Sequence, residues 1–264
     1  MVVKKPHIQM VDFSAQLNEL GLHTGGWLAV FGDVAIGKDD ASTAAEFERL
    51  FEALAAAVGA EGHLLVPAFT AGREFDPANT PAATGRFAEW FRRQPGVVRS
   101  LHPTHSVAVR GPRATELITD HDLYLPFRPE TPLGRLVEND GAALLFGGDH
   151  RANALLQVGR LSVERERPVL WFNVEHVLEF GGRRRKRYVE QPCTRAYAAL
   201  GPEMDARGIA RPLDTPWGPA HWMRARAAAD FAADVERETP ERLLCSDEQC
   251  RWCRGMRYCL GKGS

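Results

Sequence analysis

Apolar positions along this chain fall into two rhythms. Short runs that are almost purely apolar recur at Trp27–Phe31 (WLAVF), His63–Phe69 (HLLVPAF) and Ala142–Phe146 (AALLF). Runs of this length bounded by glycine read as buried core strands. Between the first two, Phe47, Leu50, Phe51, Leu54 and Val58 recur at three- and four-residue steps. That spacing predicts a helix over 42–58 with one buried stripe, ended by Gly59 and Gly62. Strand, helix and strand in succession predict a sheet with a crossover helix.

Shorter elements follow. Residues 72–85 are rich in Gly, Pro, Asn and Thr and read as a loop. A helix is predicted over 86–93, with Phe87, Trp90 and Phe91 on one face, then a strand over 106–109 and a helix over 114–119. Thr131 before Pro132 has the form of an N-cap with proline at the first helical position, so another helix begins there. Gly147-Gly148 stops the AALLF strand. No repeat or low-complexity linker interrupts this order. The expectation is α/β: one domain over 1–244, with a mixed central sheet and helices on both faces, and a Cys-rich C-terminal tail over 245–264. Beyond Arg183 the chain turns more polar, and that region reads as an appended layer.

Composition narrows the function classes. The 264 residues suffice for a substantial core, and 44% hydrophobic with 25% charged residues is ordinary for a globular protein. A net charge of −1 gives no global field for nucleic acid or a membrane surface. No apolar run approaches the roughly 18 residues of a membrane span. Met1–Met10 has Lys4 and Lys5 but no apolar stretch of a secretory signal behind them. The expected compartment is the cytoplasm, where the five cysteines stay reduced.

Candidate chemistry concentrates in three places. Leu101-His102-Pro103-Thr104-His105-Ser106-Val107 packs two imidazoles and two hydroxyls at a strand start, where α/β proteins bind ligands. His150 follows a core strand through Gly147-Gly148-Asp149, and Asp149 is a natural partner to orient it. Cys245, Cys250, Cys253 and Cys259 form C-x4-C-x2-C-x5-C, a spacing that can close a zinc site or an iron–sulfur cluster or simply pack a tail. The run Arg183-Arg184-Arg185-Lys186-Arg187 fits either a solvated hairpin or a contact to phosphates.

An ordered series of segments resembles the aminoglycoside 3-N-acetyltransferase family. It comprises residues 58–62 through Phe69-Thr70, Phe75-Asp76-Pro77 with Thr80-Pro81, and FRRQPGVVRSLHPTHSV over 91–107. Gly111-Pro112-Arg113-Ala114, Pro126-Phe127, residues 131–136, Cys193, Leu200-Gly201 and Leu243-Leu244-Cys245 continue it. The resemblance implies a coenzyme A-dependent N-acyltransferase acting on an amine-bearing small molecule, an antibiotic or natural-product intermediate. It implies acetyl-coenzyme A or another acyl-coenzyme A as co-substrate, and a homodimer is one open arrangement. The co-substrate is expected on Phe31, Gly32, Asp33, Val34, Ser106, Val107, Thr131 and Arg135, helped by the free N–H groups of the helix that begins at Thr131. His105, His150, Asp149, Gln157 and His176 are the candidate catalytic residues.

Two departures from the family pattern alter that implication. The family's His-Ser turn after the first strand reads Phe31-Gly32-Asp33-Val34 here. Its N-[TS]-x-x-H-x-x-E segment reads Asn153-Ala154-Leu155-Leu156-Gln157-Val158-Gly159-Arg160, so Gln157 replaces the basic His and Arg160 the Glu. A carboxamide has no basic nitrogen and cannot take a proton from an amine. His176, in the Asn173-Val174-Glu175-His176 stretch, is a substitute candidate. Three readings follow: acyl transfer with an altered base, non-acyl chemistry at a cysteine-bound metal or cluster, or a non-catalytic binding protein.

Overall fold

The computed structural model describes residues 10–34, 40–123, 125–163, 174–189 and 192–261. Helix α1 (Met10–Glu19) precedes β1 (Trp27–Phe31), α2 (Asp40–Val58) and β2 (His63–Pro67). Then come the two-residue β3 (Glu74–Phe75), α3 (Arg86–Phe91), β4 (Val97–Arg99), β5 (Val107–Arg110), α4 (Ala114–Ile118), α5 (Pro132–Glu138), β6 (Ala142–Phe146) and α6 (Ala154–Ser162). The last third holds β7 (Val174–Phe180), β8 (Arg183–Val189), α7 (Gly201–Ala206), β9 (Arg211–Thr215), β10 (Gly218–Arg224), α8 (Ala225–Glu238) and α9 (Arg251–Cys259).

Seven strands form the main sheet in the order β4-β5-β2-β1-β6-β10-β9. Its centre is parallel: Leu28 lies opposite Leu64 on one side and Ala142 on the other. Antiparallel pairs close both flanks. The three core strands predicted from their apolar runs are these three central strands. Their side chains alternate between two cores, as the two-residue period of a strand requires. Ala29, Phe31, Leu65, Ala143 and Leu145 face α4, α5, α6 and α8, while Leu28, Val30, Leu64, Val66 and Leu144 face α1, α2 and α3. The fold is therefore α/β with helices on both faces, as expected. No described helix is long and apolar enough to cross a membrane.

The expected appended layer after Arg183 is corrected. Strands β9 and β10 complete the main sheet, and α8 supplies Ala228, Phe231, Ala232 and Val235 to the core. The polarity there reflects a sheet flank and a one-sided helix rather than a separate layer. Strands β7 and β8 instead join β3 in a separate three-stranded sheet. The Thr131 cap is present: its Oγ1 accepts from the Gly134 N–H at 3.3 Å, with Pro132 in the first turn.

Helices α6 and α8 approach each other closely. A Cβ at Gly159 would stand 1.8 Å from the Ala229 carbonyl oxygen. Glycine permits this approach at the cost of helix propensity. Gly159→Ala should therefore destabilise the protein by about 1–3 kcal/mol or more through backbone displacement. The propensity gain of about 1 kcal/mol cannot offset so short a backbone clash. Urea unfolding checks this, and a neutral or stabilised variant would contradict the packing.

Candidate active site

A cavity of about 450 Å³ opens where β1, β2 and β6 end. Its walls include Phe31, Gly32, Phe69, His105, Phe127, Asp149, Gln157 and Thr194. Parallel strands with helices on both faces place ligand crevices at their carboxyl ends. Gly32 sets the floor, with φ of 79° and a would-be Cβ 2.1 Å from the Phe146 carbonyl oxygen. The turn after β1 thus presses backbone against backbone.

His105 reaches this cavity; His102 does not. The His102 ring is buried and its Nδ1 accepts from the His105 N–H at 2.9 Å. It is committed to holding the turn. The His105 ring sits edge-on to Phe69 and Phe127, with centroids 4.8 and 5.0 Å away, and its Nδ1 lies 2.7 Å from Thr104 Oγ1. Among the described residues it is the one imidazole on the cavity wall.

Gln157 is positioned by α6, whose first turn is capped by Asn153 through the Leu155 N–H at 3.2 Å. The Gln157 Oε1 accepts from the buried Tyr197 hydroxyl at 2.9 Å. One turn on, Arg160 is fully buried and pairs with equally buried Glu236 at 3.2 Å. Its guanidinium also lies 5.7 Å from the Trp252 ring. The charge introduced at Arg160 is therefore neutralised from α8. Burial raises the Tyr197 phenol above its ordinary pKa.

Other predicted residues fall elsewhere. Ser106 Oγ donates to the Ala68 carbonyl at 2.7 Å and accepts from Arg99 Nε at 3.0 Å, so it is consumed in loop anchoring. Val107 is core within β5. Thr131 is a buried cap, and Arg135 donates to the Glu130 and Glu116 carbonyls. Arg135 shares a cleft with Trp27, where β1 begins, at the opposite end of the sheet. None of Ser106, Val107, Thr131 and Arg135 is among the residues that line the cavity. Phe31 and Gly32 line the cavity; Asp33 is exposed beside it and Val34 is buried.

Asp149 reaches the cavity but does not orient His150. It caps the next turn through the Arg151 N–H at 3.0 Å and holds Arg151 Nε at 2.7 Å. His150 points away, packed near Gly201 and 5.7 Å from the His221 ring, and burial then His221 lower its pKa. His176 lies in β7, with its backbone opposite Arg187, and its side chain is outside the described residues. The segment 35–39 of the expected co-substrate turn is also outside them.

The arginine run forms the β8 hairpin strand, and its alternation divides its work. Arg184 pairs with Glu179 at 2.7 Å and Glu74 at 3.1 Å, and Lys186 pairs with Glu175 at 3.2 Å. Arg183 and Arg185 face the other way, into a groove of about 1130 Å³ shared with Arg92, Arg93 and Arg99. Arg99 ties that groove to the loop beside the cavity, donating to the Ala68 and Thr80 carbonyls at 2.7 and 2.5 Å. Burial first, then repulsion from Arg92, lowers its pKa to about 10.

The cysteine quartet differs from the one spacing suggested. Cys193, Cys245, Cys250 and Cys253 place their sulfurs within 4.8 Å of one another. Cys259 is exposed at the end of α9 and outside the group, because the helix turns it away. Cys193, which spacing did not select, takes the fourth corner. A hydrogen bond from Cys253 leads in pulling its thiol down to about 4.

The family model for aminoglycoside 3-N-acetyltransferases matches residues 31–236, and the chain belongs to that family. It is 34% identical over 173 residues to aminoglycoside N(3)-acetyltransferase VII of Streptomyces paromomycinus, covering 60% of each chain. It is 39% identical over 116 residues to the type IV enzyme of a Salmonella species, covering 42% of this chain and 44% of that one. The matched stretches thus span less than two thirds of these relatives. Over the whole fold it superposes on the apoenzyme of aminoglycoside acetyltransferase AAC(3)-IVa with a TM-score of 0.78, at 26% identity, covering 97% of this chain and 99% of the other.

Two outcomes follow from the buried charges. Glu236→Gln leaves Arg160 uncompensated and should cost about 3–5 kcal/mol in urea unfolding, whereas the double replacement with Arg160→Met recovers most of it. His121, fully buried with Nδ1 2.8 Å from Ser100 Oγ, has its pKa pushed down to about 4 by desolvation. The unfolded chain binds the proton first, near 6.5, so His121 stabilises the fold above that pH. This contribution is lost as pH falls from 6.5 to 4, on the order of 3 kcal/mol. Stability measured across that window should fall less steeply in His121→Gln.

Proposed function

We propose that the protein is a coenzyme A-dependent N-acyltransferase in which His105 takes the role of base that Gln157 cannot fill. The observation that carries this reading is the cavity at the strand ends, which brings Phe31-Gly32, His105 and Gln157 to one space. Acetyl-coenzyme A supplies an acyl group activated as a thioester. The residues present fit it: the aromatic walls and side-chain-free Gly32 suit a slender pantetheine arm, and the groove of Arg183 and Arg185 suits its phosphates.

The chain's own groups then have distinct tasks. With Nδ1–H donating to Thr104 Oγ1, His105 carries its lone pair on Nε2 and can accept the proton of an incoming amine. With Oε1 held by Tyr197, Gln157 offers its N–H pair to a carbonyl or hydroxyl oxygen. Phe69 and Phe127 exclude water around the imidazole. An AAC(3)-IVa variant has been solved in complex with gentamicin, at 25% identity and a TM-score of 0.77, covering 96% of this chain and 100% of that one. That complex supports an amine-bearing, aminoglycoside-like acceptor. None of the four clustered cysteines lines the cavity, which weighs against chemistry at a cysteine-bound centre.

Calorimetry with acetyl-coenzyme A should show binding, weakened about tenfold or more in Arg183→Ala/Arg185→Ala, a loss of about 1.4 kcal/mol per decade. Thiol release with a panel of amines should fall by ~10²–10⁴ in His105→Ala with binding retained. Gentamicin turnover should lie below the usual ~1–10³ s⁻¹ and rise in Gln157→His. Absence of heat at millimolar acetyl-coenzyme A would refute the reading, and full activity in His105→Ala would refute the assigned base.

A further inference from the structure

The quartet of cysteines has no task in acyl transfer. Cys245, Cys250 and Cys253 are buried and Cys193 half-buried, with every sulfur within 4.8 Å of the other three. They come from two distant parts of the chain. Cys193 follows the β8 hairpin, and the others belong to the segment that leads into α9 and to its first turn. Cys250 is the N-cap residue of α9 and Cys253 stands three positions on, in its first turn. The Cys245 N–H points at Cys253 Sγ, 3.3 Å away, a donor aimed at sulfur as in metal-bound thiolate turns. Arg257 donates to the Cys245 carbonyl, and Arg195 is held at 2.6 Å by Asp247, so cationic groups flank the sulfurs.

We propose that Cys193, Cys245, Cys250 and Cys253 bind one zinc ion as a closed structural centre that clasps the C-terminal tail to the wall of the cavity. Four thiolates at about 2.3 Å satisfy tetrahedral zinc and leave no open position for substrate. The sulfurs already lie at the spacing of one ion. An iron–sulfur cubane binds each thiolate at a separate iron and spreads its sulfurs farther apart. Binding releases the remaining thiol protons to solvent and oxidises nothing, so zinc balances without a co-reactant. The consequence is local and specific. Cys193 lies between Pro192 and Thr194, both on the cavity wall, and four residues before Tyr197, which holds Gln157. The centre would fix that segment from behind.

Elemental analysis and cobalt substitution test the site directly. Wild-type protein purified without chelator should hold about one equivalent of zinc, and cobalt exchange should give the intense long-wavelength bands of a tetrahedral tetrathiolate. Cys259→Ser should leave both unchanged, whereas Cys193→Ser should lose both. Because a serine variant can fail to fold, Cys193→His serves as its partner: it keeps a ligand atom and should retain zinc with altered cobalt bands. Chelator should lower the melting temperature of wild-type protein without any variant being needed. Zinc retained in Cys193→Ser but lost in Cys259→Ser would overturn the ligand set. Iron with sulfide would overturn the identity of the centre. Protein free of metal as isolated, unresponsive to cobalt and to chelator, would reduce the quartet to packing. These readouts are independent of acyl-transfer activity.

Discussion

The buried Arg160–Glu236 pair is the constraint on which the site depends. Both side chains are removed from water, and a lone charge at either position would cost several kcal/mol. The pair therefore demands that α6 and α8 stay in one register, which the glycine contact at Gly159 makes close. Helix α6 also carries Gln157 and begins at Asn153 beside the cavity. A displacement of α8 would move the cavity wall with it. Arg160 is thus tied to an acid on another helix, and Gln157, one turn earlier, is tied to Tyr197.

The two sheets separate two electrostatic tasks. The main sheet ends in a cavity with aromatic walls, one imidazole and a carboxamide among its described lining. The small sheet turns Arg183 and Arg185 toward a groove already holding Arg92, Arg93 and Arg99. Arg99 joins the two spaces by binding carbonyls of the loop between them rather than a carboxylate. A cation held by neutral dipoles keeps its field available to an anionic ligand, whereas Arg184 and Lys186 are answered by glutamates on neighbouring strands.

Much of the fold was legible because the central strands are buried on both faces and cannot hide their composition. Residues 27–31, 63–67 and 142–146 announce themselves, as does the Thr131-Pro132 cap. The flanking strands β9 and β10 were not legible: RPLDT and GPAHWMR are amphipathic and interrupted by proline, so they resemble loop. At the site, His105 and Gln157 could be picked out from the motif and its departure. Ser106, Thr131 and Arg135 lie off the cavity and serve as cap or loop anchor, because side chains good at binding anions are equally good at capping helices and anchoring loops. Glu236, Tyr197 and Cys193 lay far along the chain from their partners. Pairing over such separations is decided by tertiary packing, and local spacing carries no trace of it; Cys259 stood at a plausible interval and was rotated outward by its helix.

Gly32 carries a consequence for how this site can vary. Its left-handed φ and its contact with the Phe146 carbonyl leave no room for any side chain without rebuilding the turn. Position 157 faces a cavity and could take an imidazole by substitution alone. Position 32 could not take a hydroxyl-bearing side chain so simply, since two backbones would have to part first. Variation is therefore open at one residue and barred at the other, and any change of chemistry at this cavity would have to begin on α6.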